Sequence, residues 1–425
     1  MTEPLVVRGR LVQPSAVVDD GVVVASGGRV TFAGSMAEAT AAGLGPDVDR
    51  VPPAPGTYVL PGLVDLHNHG GGGASFPDAG SADEAMAGVL EHRRHGTTTL
   101  LASLVTAQPD VLLRRAAVLA ELATAGEIEG IHAEGPFLSH RRRGAHNPAD
   151  LQEGSVDLVR DLVRAARGSL RTMTVAPEVP GVTGPGGVAE ALTAAGVLPS
   201  LGHTDGSTEQ AEALIKQVTA ALAGGTRGPM TATHLFNGMR PLHHRVPGPI
   251  AACLAAAARG DMVVELIGDG VHLDAATVRS VFDMVGADHV ALVTDAMAAA
   301  GVADGRYELG PMSVEVREGV ARVVTETQAA PEEGPIAGGT AHLVDVVRCA
   351  VRGGVPLVDA VRSATVVPAG VLGLAGEVGT LVPGARADVL VTDAGLRPVR
   401  VLRHGTDVAD VADRTAGVDI DVAGL

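Results

Sequence analysis

Short apolar runs of strand character recur eight times between residues 59 and 295 of this chain, most of them separated by alanine- and leucine-rich stretches with helical spacing. The runs are Val59 to His69, Thr98 to Val105, Ile128 to Glu134, Met173 to Ala176, Leu198 to His203, Thr231 to His234, Val263 to Ile267 and Val290 to Asp295. Asp83 to His95, Val111 to Ala125, Val156 to Ala166 and Thr208 to Ala223 read as helices between them. Such alternation is the signature of a parallel sheet, because parallel neighbours need a crossover that a helix supplies. Eight units in sequence predict an α/β fold, a (β/α)8 TIM-type barrel rather than an open doubly wound sheet.

The two ends of the chain follow a different grammar. Val22 to Val24 and Arg29 to Phe32 flank Gly27-Gly28, and after Gly376 to Asp388 the run Val389-Leu-Val returns to the same style. We expect a small β-sandwich domain built from residues 1–58 and 373–425, with the barrel over 59–372. Residues 301–335 read as an insertion with strands at Met312 to Arg317 and Val320 to Val324. A chain of 425 residues, 46% of them hydrophobic, can bury both cores.

The formal charge of −17 excludes a nucleic-acid or anionic-membrane surface, since neither tolerates such a field without a segregated basic patch. The one dense basic run, Arg141-Arg142-Arg143, reads either as a solvated loop or as a group beside an anionic substrate. The two cysteines, Cys253 and Cys349, sit in helical text, which argues against a disulfide framework and fits a reducing cytoplasm. No stretch has the length and apolarity of a membrane span or a signal peptide. Tryptophan is absent and aromatics are few, leaving little for stacking platforms.

Five of the eight runs end in residues able to bind a divalent metal: His67 and His69, Glu134, His203, His234 and Asp295. In a barrel the C-terminal strand ends converge on one mouth, so these distant positions become neighbours. His67 and His69 are two apart and share a face of a strand. Alone, each histidine is an ordinary core residue; their common strand-end position makes them a ligand set. Imidazoles with a carboxylate suit a borderline ion, and Glu134 could bridge two. Zn2+ is the expected ion, with Fe2+ as the alternative, at one or two per subunit. Asp295 reads either as a turn cap or as the general base that accepts a proton from water activated by the metal. The chain's single lysine, Lys216, lies in helical text after His203. The fourth strand therefore offers no lysine for the carboxylated bridge of the dihydroorotase, hydantoinase, urease and phosphotriesterase types.

The blocks Pro61 to Gly70, His132-Ala-Glu-Gly-Pro-Phe-Leu138, Gly144-Ala-His-Asn-Pro148, Gly202-His-Thr204, His234-Leu-Phe-Asn-Gly-Met239, Asp269-Gly-Val-His272 and Thr294-Asp-Ala296 give a closer reading. Together they resemble the amidohydrolase superfamily and, within it, the N-acetylglucosamine-6-phosphate deacetylases, over nearly the whole chain. The resemblance implies that Glu134, His203 and His234 hold the main metal, that His67 and His69 serve a second, and that Asp295 is the catalytic acid/base. It implies substrate contacts at His146, at His272 for a sugar hydroxyl, at Gly135, and at Asn237 and the Gly238 amide for the phosphate. Gly238 stands where alanine is frequent, and Ala337-Gly-Gly-Thr340 departs from the usual Ala-Gly-Ser text. Arg245 resembles an arginine that reaches the phosphate across a homodimer interface. The implied activity is hydrolysis of the N-acetyl amide of a phosphorylated amino sugar, in amino-sugar catabolism and cell-wall recycling. Two rivals are the same chemistry on another N-acyl substrate and a catalytically silent barrel, the latter disfavoured by the full ligand set with Asp295.

Overall fold

The computed structural model describes residues 4–52, 54–225, 228–324 and 334–409. Eight parallel strands form one sheet in strict chain order. They are β1 Leu63–Asp65, β2 Thr97–Leu104, β3 Gly130–Glu134, β4 Leu170–Val175, β5 Leu198–Leu201, β6 Met230–Ala232, β7 Met262–Leu266 and β8 Val290–Leu292. The sheet closes beyond its ladders, where Asp295 N–H donates to His67 C=O at 2.9 Å and His69 N–H to Ala296 C=O at 2.7 Å. The closing seam is thus made by residues that the sequence marks for chemistry.

Period-two alternation sorts each strand. On β7, Met262, Val264 and Leu266 join the outer cluster against the helices, while Val263 and Ile267 belong to the inner one. Val64, Leu66, Leu101, Leu198, Ala291 and Val293 complete the inner cluster, plugged by Val367 and Val371 of the helix Val366–Val371. Above this apolar floor lies a layer of hydroxyls. His132 bonds Ser103 Oγ at 2.9 Å and Thr174 Oγ1 at 2.8 Å. Thr174 bonds Thr233 at 2.8 Å, and Thr233 bonds Ser200 at 2.5 Å. Each buried polar atom in that chain is satisfied by the next, which fixes the strand ends above it.

The run expected as one strand from Val59 to His69 is two. Tyr58–Pro61 pairs with Val389–Thr392 and, in parallel, with Arg10 and Leu11, whereas Leu63–Asp65 enters the barrel. The chain changes sheets at Gly62, where a Cβ would lie 2.2 Å from Thr98 Oγ1, so only glycine fits the crossing.

The small sheet has seven strands: Leu5–Val12, Val17–Ser26, Arg29–Ser35 and Tyr58–Pro61 from the N-terminal side, and Val389–Thr392, Pro398–Arg403 and Thr406–Asp407 from the C-terminal side. Gly27 and Gly28, at φ 58° and 76°, make the two-residue turn that only residues tolerant of positive φ allow. Val30 exchanges backbone bonds with Ala385 (2.9 Å) and Gly384 (2.8 Å), which curls the sheet over a core of Val7, Leu11, Val23, Val59, Val389 and Leu402.

The insertion is a three-stranded antiparallel sheet, Gly305–Leu309, Met312–Arg317 and Val320–Val323. It packs Leu309 and Val314 against Met297, Ala298 and Val105 at the barrel mouth. Residues 325–333 of the expected insertion lie outside the described residues. Cys253 is buried and Cys349 half-buried, neither in a disulfide. Among the described residues, no helix is long and apolar enough to cross a membrane.

Candidate metal centre and substrate pocket

The strand ends bring the predicted ligands together, and three of them are held in a backbone conformation that side-chain-bearing residues seldom adopt. His203, His234 and Asp295 have φ of 46°, 27° and 48°. Such positions cost of order 1 kcal/mol or more each and persist where the surroundings over-determine them. Asp295 is clamped on both sides, its N–H by His67 C=O at 2.9 Å and its C=O by Gly339 N–H at 2.7 Å. The Ala337–Thr340 loop therefore positions the acid through its backbone.

Glu134, at the end of β3, lies at the centre. Its Oε1 is 3.0 Å from His203 Nε2 and 2.9 Å from His234 Nε2. Its Oε2 is 3.1 Å from His69 Nε2, 3.6 Å from His67 Nε2 and 3.5 Å from His146 Nε2. Asp295 Oδ1 is 3.2 Å from both His67 Nε2 and His69 Nε2, and those two nitrogens are 2.9 Å apart. The carboxylate thus presents one oxygen to each of two donor groups, His203 with His234 and His67 with His69 and Asp295.

These residues fit a divalent ion. Nitrogen and carboxylate oxygen atoms of His67, His69, Glu134 and Asp295 lie within 4.8 Å of one another, as do those of Glu134, His146 and His203, and all are buried. The far ring nitrogens are pinned: His69 Nδ1 bonds Ser103 C=O at 3.2 Å and His203 Nδ1 bonds Arg142 C=O at 2.7 Å. If each Nδ1 carries the proton, each Nε2 is left as a lone-pair donor facing the centre, the arrangement metal-binding histidines use.

The charges support the assignment. Burial works against ionised Glu134, but the facing His67, His146 and His203 outweigh it and hold the carboxyl well below its ordinary range. For Asp295, burial is likewise outweighed by His67 and His69, so it is held in the ionised, proton-accepting form. Burial opposes charge on His67, yet Asp295 and Glu134 raise it well above the usual histidine range. An imidazolium-like charge at this position is what a cation would replace.

A cavity of about 270 Å³ opens over the centre. His69, Glu134, His203, His234 and Asp295 form its floor; Thr106, His146, Asn147, Asn237, Gly238 and His272 line its sides. Leu309, Pro311, Pro335 and Ile336 add an apolar wall from the insertion and its return, a placement that no local pattern of residues marks. His272 is aimed by Asp269, whose Oδ2 accepts from Nδ1 at 2.8 Å. Asn237 and Gly238 lie on the turn after His234, and Asn237 Nδ2 donates to His234 C=O at 3.3 Å.

Two expected substrate contacts lie apart from this lining. Gly135, at φ 89°, packs its Cα face against Thr106 and Leu138, which makes it a backbone turn beneath the pocket wall. Arg245 is exposed on the 241–247 loop. Of the basic run, Arg142 is tied to Asp205 at 2.8 Å, as is Arg240 at 3.0 Å, joining the loops that carry His146 and Gly238; Arg143 is exposed. The sequence reading also missed Glu265, a buried carboxylate inside the barrel, and the group Glu91, His95 and His342 behind the Gly70–Gly73 turn. His95 and His342 stack with ring centroids 3.5 Å apart and planes 12° from parallel, so their in-plane lone pairs do not converge on one ion.

Residues 58–421 match the family model described as amidohydrolase family. The chain belongs to that family. A curated human relative, "N-acetylglucosamine-6-phosphate deacetylase", is 33% identical over 80% of this chain and 81% of its own length. An "N-acetylgalactosamine-6-phosphate deacetylase" of Escherichia coli O157:H7 is 31% identical over 82% and 86%. Among solved structures, a substituted N-acetyl-D-glucosamine-6-phosphate deacetylase from Mycobacterium smegmatis, in complex with N-acetyl-D-glucosamine-6-phosphate, superposes with a TM-score of 0.83 at 38% identity, covering 96% of this chain and 99% of that one. The eight-stranded barrel with its separate sheet from the two chain ends is thus the fold of that structure and of this chain.

Proposed function

We propose that this chain hydrolyses the N-acetyl amide of N-acetylglucosamine 6-phosphate, releasing acetate and glucosamine 6-phosphate. The observation that carries the reading is the ionised Asp295 beside a histidine-carboxylate centre, in a pocket that Asn237 and Gly238 also line. A divalent ion bound by Glu134, His203 and His234 supplies Lewis-acid polarisation of the carbonyl and a water of lowered pKa. Zn2+ and Fe2+ both suit these donors.

Asp295 takes the proton from the attacking water and returns it to the amine nitrogen as the C–N bond breaks. Without that transfer the tetrahedral species would expel the water-derived oxygen in preference to nitrogen. His146 faces the Glu134 end of the cavity, where the acetyl group would lie, and His272, oriented by Asp269, is placed for a sugar hydroxyl. Asn237 and the Gly238 amide hold the phosphate, a contact remote from the reacting carbon that acts through orientation. Arg245 completes the phosphate site from a second copy of the chain. Leu242 and Val246 beside it are 51% and 53% exposed, two of the most exposed large apolar residues described and a surface suited to a partner.

The test is acetate release from N-acetylglucosamine 6-phosphate, its 4-epimer N-acetylgalactosamine 6-phosphate, and unphosphorylated N-acetylglucosamine. Preference for the first supports the reading. Preference for the 4-epimer would move the assignment to the substrate named for the Escherichia coli relative, and equal turnover of the unphosphorylated sugar would contradict the phosphate site.

A further inference from the structure

The four histidines facing Glu134 or Asp295 from the ends of β1, β5 and β6 fall into two pairs by how their outer nitrogen is held. His69 and His203 use backbone carbonyls, Ser103 C=O and Arg142 C=O. His67 and His234 have no hydrogen-bond partner at Nδ1 among the described residues; beside His67 Nδ1 alone stands a carboxylate oxygen, Glu265 Oε2, at 3.5 Å. Glu265 lies on β7 between Val263 and Ile267, and strand alternation turns its side chain into the barrel, under the metal centre. It is 4% exposed, and the same Oε2 is 3.4 Å from the His234 N–H.

A carboxylate at that depth is costly unless a positive charge answers it. Among the described residues, the charged group within ion-pair distance of Glu265 is the His67 ring, and the chain's lone lysine lies elsewhere, on the helix Thr208–Leu222. His67, His69 and Asp295 could hold a cation on the Nε2 side of His67, and such an ion would answer the charge through the ring. A carboxylate 3.5 Å from Nδ1 would favour the Nδ1–H tautomer, aim Nε2 at the centre and make that nitrogen a stronger donor. Among the described residues, His67 is the one ligand here with a carboxyl group beside its outer nitrogen.

We propose that Glu265 is a positioning residue for His67 that sets occupancy of the His67–His69 half of the centre, and so decides whether this chain holds two divalent ions or one. The His203–His234 half meets Glu265 only through the His234 N–H, at 3.4 Å, a contact that a glutamine oxygen can keep, while His203 Nδ1 is held by Arg142 C=O. The proposal rests on the metal-dependent reading above and is tested without reference to turnover.

The experiment is metal counting. Wild-type protein and Glu265→Gln are stripped with chelator and titrated with Zn2+, bound metal being measured by elemental analysis and by calorimetry. Wild type is expected to take up two ions per chain, and Glu265→Gln to keep one unchanged while the other weakens about 10- to 100-fold. In a His67→Gln background, Glu265→Gln should change nothing further. Glu265→Leu, which removes the charge and fills the space, should show the same loss and covers the case in which the amide disturbs folding. Two ions of unaltered affinity in these variants, a single ion in wild type, or additive losses in the double variant would each overturn the proposal. A wild type that binds two ions yet releases no acetate would contradict the function and leave this inference standing.

Discussion

Glu134 meets His234 Nε2 at 2.9 Å with one carboxylate oxygen, which turns the other oxygen toward His69 at 3.1 Å. One side chain on β3 therefore serves both donor groups of the mouth. Glu134→Gln puts an amide nitrogen, a donor, where an acceptor is needed in one of them. Bound Zn2+ should fall below one ion per chain and acetate release should drop by about three orders of magnitude or more, with the fold retained by circular dichroism. Full metal content in this variant would remove Glu134 from the centre.

Asp295 is separable from binding. Asn tolerates the positive φ of this position, and the two backbone bonds that clamp it do not involve the side chain. Asp295→Asn should keep KM within a few-fold and lower kcat by about 10²- to 10⁴-fold, the range general acid-base groups contribute. A near-normal kcat would contradict its role.

The phosphate site makes a different prediction, because a group distant from the reacting carbon acts on affinity and alignment together. Asn237→Ala should lower kcat/KM for the phosphorylated sugar by about tenfold or more while leaving the already poor reaction of the unphosphorylated sugar unchanged. Arg245→Ala should do the same, and activity per chain should fall on dilution below the dimer dissociation constant. Equal losses on both sugars would place these residues outside phosphate recognition.

Behind the Gly70–Gly73 turn, His342 lies between Glu91 (3.1 Å) and Asp345 (3.4 Å) and stacks on His95. Burial opposes its charge, but the two carboxylates raise it to about 9. Burial, reinforced by the charge on His342, lowers His95 to about 4 and His92 to about 3. Above the ordinary histidine value of 6.5, unfolded chains lose the His342 proton that the folded protein keeps, so its contribution is complete below 6.5 and is lost as pH rises through about 9. Below 6.5 the unfolded chain instead binds protons that His92 and His95 refuse when folded, and stability falls with acid. Denaturation followed against pH should peak near 6.5 and decline on both sides. His342→Gln should be less stable at the peak and flatten the alkaline limb. An alkaline limb of unchanged slope in that variant would contradict the assignment.

The barrel was legible because each strand is buried on both faces and bounded by helical text, and the ligands because they sit where strand runs end. What escaped had physical reasons. The passage at Gly62 is one glycine inside a continuous apolar run, with nothing local to mark the change of sheet. Glu265 reads as an isolated acid in Met262–Leu266, and its meaning comes only from the end of β1, across β8, which brings His67 to it. The Glu91, His95 and His342 group joins residues about 250 positions apart. The apolar wall of Leu309 and Pro311 depends on how the insertion folds back over the mouth.

This centre hydrolyses a phosphorylated N-acetyl amino sugar and needs its metal to do so. The most direct measurement is acetate release from N-acetylglucosamine 6-phosphate and from N-acetylglucosamine, before chelation, after it, and after Zn2+ or Fe2+ is added back. Turnover of the phosphorylated sugar should be lost on chelation and restored by the ion, with little reaction of the other; turnover that survives complete metal removal, or none with any added ion, would overturn the metal-dependent function.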